Sequence, residues 1–68
     1  MKENVIVEIE KYLDDNDFKW TEGVDGVDYY INGEILCVDH ECALDDKTNT
    51  KFNTLEEIKD FYNIRVTV

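Results

Sequence analysis

Cys37, His40 and Cys42 lie within one six-residue stretch, and cysteine and histidine are the side chains that most often ligate zinc. A closed zinc site takes four ligands, usually with paired cysteines. The chain has two cysteines in all, so Asp39 or Glu41 would have to complete the set. On one continuous strand Cys37 and Cys42 would point to opposite faces. If the chain turns at Asp39-His40 they become cross-strand neighbours, with Cβ atoms ~4.5–5.5 Å apart where a relaxed disulfide prefers ~3.5–4.5 Å. Cys37, His40 and Cys42 are therefore metal candidates short of a ligand set, and the expectation is no bound metal and two buried or idle thiols.

Other chemistry finds few parts. The sequence has no Ser, so the candidate nucleophilic dyad is a cysteine with His40, and nothing around it marks the basic pocket or helix N-terminus that lowers a thiol pKa. Paired carboxylates need a cleft that splits their pKa values, and so short a chain has little room for one. The alternation of Asp or Asn, then Gly, then Glu that defines a calcium loop is missing around Asp14, Asp25 and Asp45. There is no glycine-rich phosphate loop either, so neither an enzyme nor a cofactor is expected.

Charge says more. Seventeen Asp and Glu stand against seven Lys and Arg, a net charge of −10. Such a field repels phosphate backbones, whose affinity for proteins comes largely from Lys and Arg displacing counterions, and it repels anionic membrane surfaces. Direct nucleic-acid and membrane partners are not expected, whereas a basic protein surface is attracted. Solubility alone is the competing meaning of the same acid. The start, Met1-Lys2-Glu3-Asn4, leads into only three apolar residues before Glu8, so no secretory core is read and a cytoplasmic protein is expected.

The frame that must position these residues is clearest from Val27 to Val38, where Asn32-Gly33 separates two alternating apolar runs. Asn-Gly favours a type I′ turn, which needs φ > 0 at both central residues and matches the twist of the flanking strands. That predicts a hairpin with Ile31 opposite Glu34, Tyr29 opposite Leu36 and Val27 opposite Val38. Val27, Tyr29, Ile31, Leu36 and Val38 then share one face. Upstream, Asp25-Gly26 is a second turn dipeptide. A two-residue turn there sets Val24 opposite Val27, Glu22 opposite Tyr29 and Trp20 opposite Ile31, placing Phe18, Trp20 and Val24 on the core face.

Val5, Ile6, Ile9, Tyr12 and Leu13 follow helical spacing, predicting a helix from Asn4 to Leu13 with Asn4 as N-cap. Asp14, Asp15 and Asp17 then sit where the helix dipole disfavours acid. After Val38 the chain either extends the third strand or turns at Asp39-His40 into a short fourth, and residues 45–51 read as an exposed polar loop. Asn53 with Glu56, or Thr54 with Glu57, fits a capping box for a second helix whose inner face is Leu55, Ile58, Phe61 and Tyr62, with Asn63 as C-cap. Ile64 to Val68 alternates as a final strand. The fold class expected is one small α+β domain: a three- to five-stranded, mainly antiparallel β-meander with two helices on one face, in the order α-β-β-β-(β)-α-β.

In size, acidity and lack of catalytic parts the chain resembles the small proteins of phages and mobile elements that occupy nucleic-acid-binding surfaces of host enzymes, anti-restriction and anti-CRISPR proteins among them. The resemblance spans the whole chain in composition and rests on no motif. It implies a non-enzymatic acidic module, a nucleic-acid mimic that binds a basic protein partner. The residues expected to make that contact are Glu3, Glu10, Asp14, Asp15 and Asp17 at the first helix, with Asp25, Asp28 and Asp39 at the open sheet face. The alternative is a structural or assembly protein, a homodimer formed through Tyr30, Ile35 and Cys37 on that open face or through an unpaired sheet edge.

Overall fold

The computed structural model describes residues 2–24 and 26–64, with side chains from Val5 onward. Helix α1 (Lys2–Asp15) is followed by β1 (Lys19–Glu22), β2 (Val27–Ile31), β3 (Glu34–Val38), β4 (Ala43–Asp45), β5 (Lys51–Phe52) and helix α2 (Leu55–Phe61). The strands form one antiparallel meander in chain order, β1-β2-β3-β4-β5. This is the expected α+β class, realised as α-β-β-β-β-β-α. The fifth strand lies before α2, and the terminal strand expected over Ile64 to Val68 falls, beyond Ile64, outside the described residues.

The central hairpin has the expected register from Val27↔Val38 to Ile31↔Glu34. Its turn holds Asn32 at φ 51° and Gly33 at φ 84°, the left-handed pair that a type I′ turn requires. β1 is displaced by two residues from the expected register, with Trp20 opposite Tyr29 and Glu22 opposite Val27. The connection spans residues 23–26 and is closed by the Gly23 N–H donating to the Gly26 carbonyl at 2.6 Å. A shift of two keeps each side chain on its face but carries Val24 out of the sheet, where it is wholly exposed instead of joining the core.

Helix α1 begins at Lys2, so Asn4 lies within it and is not its N-cap. Its end is a Schellman closure: the Phe18 N–H reaches the Leu13 carbonyl at 3.1 Å and the Asp17 N–H reaches that of Asp14 at 3.2 Å, with Asp17 at φ 61°. Helix α2 opens with the Thr54/Glu57 box, the second of the two alternatives. Its C-cap residue is Tyr62, and Asn63 follows at φ 59°, one position beyond the cap assigned to it. Ile64 N–H to Lys59 carbonyl at 2.9 Å completes the same closure.

One cluster of buried side chains joins both helices to one sheet face: Ile6, Ile9 and Leu13 of α1, Ile58 and Tyr62 near α2, and Tyr29, Ile31, Leu36, Val38, Ala43 and Phe52 of the sheet. Each fully buried Leu or Ile contributes roughly 1.5–3 kcal/mol of transfer free energy. Phe61, assigned to the inner face of α2, is exposed and packs by its ring edge on Phe52, with centroids 5.2 Å apart. Lys59 Nζ lies 4.6 Å from the Tyr12 ring centre and links the helices by a cation–π contact.

The stretch read as an exposed loop over residues 45–51 holds a buried acid. Asp45 closes β4 with no exposed surface, and Lys51 belongs to β5. Asp45 Oδ1 accepts the Tyr62 hydroxyl at 2.6 Å, while Oδ2 accepts the Thr48 N–H at 2.9 Å and the Thr48 hydroxyl at 3.0 Å. Burial raises this carboxyl's pKa, but the bonds from Tyr62, Thr48 and the Lys47 N–H outweigh it and leave it below its usual value. Tyr62 also accepts at its backbone carbonyl from Asn32 Nδ2 at 2.7 Å, so the hairpin tip, the β4 end and the α2 end meet at one residue.

Candidate functional site

β1 forms one edge of the sheet, and all four of its residues are exposed. The opposite edge, β5, spans only Lys51–Phe52 before the chain enters α2. In an antiparallel pair, alternate residues turn their N–H and C=O groups toward the neighbour and the others turn them outward. An edge strand therefore presents a row of unmatched donors and acceptors. Among the described residues nothing covers this row on β1.

Trp20 stands on that edge. Its side chain shares the helix-bearing face with its cross-strand partner Tyr29, as expected, yet it is 52 % exposed where a core position was expected. The reason is position. An edge residue has a sheet neighbour on one side only, and the Tyr29 hydroxyl, which donates to Asp14 Oδ1 at 3.1 Å, fixes the end of α1 to β2 rather than to β1. Burial, the hydrogen bond to Asp14 and the nearby charges of Asp14 and Glu10 all raise the Tyr29 pKa, so the phenol stays protonated. That bond anchors the end of α1 over β2, beside Trp20.

The acidic end of α1 thereby becomes part of the β1 edge. Asp14, Asp15 and Asp17 are all exposed, and the last turn of the helix carries no basic residue. The negative end of the helix dipole adds to their field. Asp15 is paired with Lys11 at 3.1 Å, an exposed contact of little energetic weight. Asp14, Asp17, Phe18, Trp20, Thr21 and Tyr30, together with Lys19, line a shallow depression of about 560 Å³ at the edge.

The other expected contact residues are dispersed. Glu10 is half-buried on α1; the Glu3 side chain and Asp25 lie outside the described part. Asp28, Tyr30 and Ile35 belong to the open sheet face, where Thr21, Asp28, Cys37, Leu44 and Lys51 form one row across five strands. Leu44, opposite Cys37 on the fourth strand, extends the expected strip. Asp39 serves its own turn: Oδ1 accepts the N–H groups of Cys42 and Glu41, each at 2.7 Å, and these bonds hold its pKa below the usual value.

Of the two alternatives after Val38, the structure takes the separate fourth strand, but with the turn over residues 39–42. Cys37 therefore opposes Leu44, and the cysteines are not cross-strand partners. Both are free thiols. Cys37 Sγ lies 3.6 Å from Asp46 Oδ1 and Cys42 Sγ 3.8 Å from Asp39 Oδ2. Burial, together with Asp28 and Asp46, pushes the Cys37 pKa up to about 12; burial and Asp39 raise that of Cys42. Among the described residues no three His, Cys, Asp or Glu side chains form a metal-holding group, and His40 is exposed in the turn.

Protein-family models, curated proteins and solved structures contain no match to this chain. Among the described residues no helix is long and apolar enough to cross a membrane. Function must therefore be argued from the surface itself. Two of its features escaped the sequence: the exposure of Trp20, signalled only by its place in the first strand of a meander, and the buried Asp45, signalled by a Thr three residues on.

Proposed function

We propose that the chain is a non-enzymatic acidic protein-binding module that engages a basic surface of a partner protein, of the kind that otherwise receives nucleic acid. The observation that carries this reading is Trp20, half exposed on an edge strand that no other described residue covers, beside Asp14, Asp15 and Asp17. Tryptophan anchors dominate protein interfaces because one side chain removes a large apolar area from water at little entropic cost. Surrounding carboxylates steer a cationic partner onto the anchor and set the salt dependence of association. The net charge of −10 extends that steering over the whole molecule.

The state of the thiols supports a non-catalytic role. A nucleophilic cysteine needs neighbours that favour thiolate, and the acids facing Cys37 and Cys42 do the reverse. The test is capture of a partner by tagged protein, repeated with an Asp15→Lys, Asp17→Lys variant and at two salt concentrations. A partner with a basic surface that is lost in the variant and washes off in salt supports the module. Capture indifferent to both counts against it.

A second reading is favoured by Leu44, which lengthens the open-face strip of Tyr30, Ile35 and Cys37. On this reading the protein self-associates through that face. Sedimentation of the wild type and a Tyr30→Lys, Ile35→Lys variant decides it: a wild-type dimer that the variant dissolves favours assembly, and monomers in both remove it.

A further inference from the structure

Resting on the acidic-module reading, we infer that the partner supplies an extended basic segment that adds to β1 as a sixth strand. β1 offers what strand addition needs: an exposed edge with outward backbone donors and acceptors, ending at Glu22 before a four-residue connection. Side chains of an added strand alternate between the two faces and lie ~4.5–5.5 Å from the β1 side chains they oppose. On the helix-bearing face the β1 neighbours are Trp20 and Glu22, and Asp14 and Asp17 line the same depression as Trp20. A residue there meets an aromatic ring and two carboxylates, which is the environment that selects arginine by cation–π contact and by paired hydrogen bonds. On the opposite face the neighbours are Lys19 and Thr21, which disfavour a cation and accept small polar or β-branched side chains. The segment recognised therefore alternates Arg with Thr or Val.

Charge decides between occupants. A second copy pairing β1 with β1 would bring two chains of net charge −10 together at their acidic helix ends. A basic segment of another protein meets no such repulsion.

The test uses the full-length protein and two synthetic peptides of repeated Arg-Val: one unmodified, one N-methylated on alternate backbone amides so that it keeps its charge and loses its edge hydrogen bonds. Trp20 is the chain's single tryptophan, so its fluorescence reports on β1 directly, and amide hydrogen exchange reports on residues 19–22. The expected result is saturable binding of the unmodified peptide, slowed exchange at outward β1 amides, and affinity at least about tenfold lower for the methylated peptide. Equal binding of both peptides overturns strand addition while leaving charge-driven binding intact. Binding of neither overturns strand addition and the basic-partner reading together. Slowed β1 exchange that grows with protein concentration in the absence of peptide overturns the proposal in favour of a second copy.

Discussion

Replacing Tyr62 with Phe removes one hydroxyl and little else, and its effect can be worked out from the structure. The ring keeps its packing on Phe61 and Phe52, with centroids 4.9 and 5.9 Å away. The loss is the 2.6 Å bond to Asp45 Oδ1, whose carboxylate is fully buried and retains only the Thr48 and Lys47 donors. A hydrogen bond to a charged group contributes about 1.5–3 kcal/mol, so Tyr62→Phe costs ~2 kcal/mol at pH 7. In a domain of this size that lowers Tm by roughly 8–16 °C. The folded Asp45 pKa lies below its unfolded value, so the cluster's stabilisation is full above the ordinary value of 3.8 and fades as pH falls through the folded value. Without the hydroxyl the folded pKa rises. The gap between wild type and variant is therefore widest near neutrality and narrows below the ordinary value of 3.8. Urea unfolding from pH 7 downward measures it. A gap below about 0.5 kcal/mol at pH 7, or one that stays constant into acid, refutes a charged Asp45 held by this hydroxyl.

Three further outcomes follow from local geometry. A Cβ at Gly26 would run into the Val38 carbonyl oxygen and stand 2.9 Å from Asp39 Cα, both backbone atoms, so Gly26→Ala should lower urea-unfolding stability by about 1–3 kcal/mol. Asn32→Gly keeps a residue content with φ 51° but removes the amide that donates to the Tyr62 carbonyl; a net loss of about 1 kcal/mol is expected, and a gain would show that the tip is not stitched to α2. Iodoacetamide at pH 8 should label native Cys37 at least about tenfold more slowly than the urea-unfolded chain, because its thiol pKa is pushed up to about 12; equal rates would contradict that environment.

What could be read from the sequence tracks how local its cause is. The Asn32-Gly33 turn demands two left-handed residues in succession, a property of those residues alone, and the whole Val27 to Val38 register followed. The helical stripe of Ile6, Ile9 and Leu13 and the Thr54/Glu57 box were legible for the same reason. Asp25-Gly26 carried the same type of signal, but the chain spends four residues between β1 and β2, so the turn type did not transfer. Asp45 looked like loop because its neighbours are polar; its burial depends on Tyr62, seventeen residues on, closing over it. Trp20 was placed on the right face with the wrong exposure, since alternation fixes the side of a sheet and not how far a helix extends over it. The candidate site was thus half legible: Asp14, Asp15 and Asp17 were named from charge, while the edge and the anchor that give them a use required the fold.

Whether partners meet this protein at β1 is tested most directly by chemical-shift mapping on the isotope-labelled chain, with the basic partner captured from lysate titrated in. Docking at β1 puts the largest changes on Lys19 to Glu22, the Trp20 indole N–H, and Asp15 and Asp17, and these weaken with added salt. Changes centred instead on Ile35, Cys37 and Leu44, with the Trp20 indole unmoved, would contradict it.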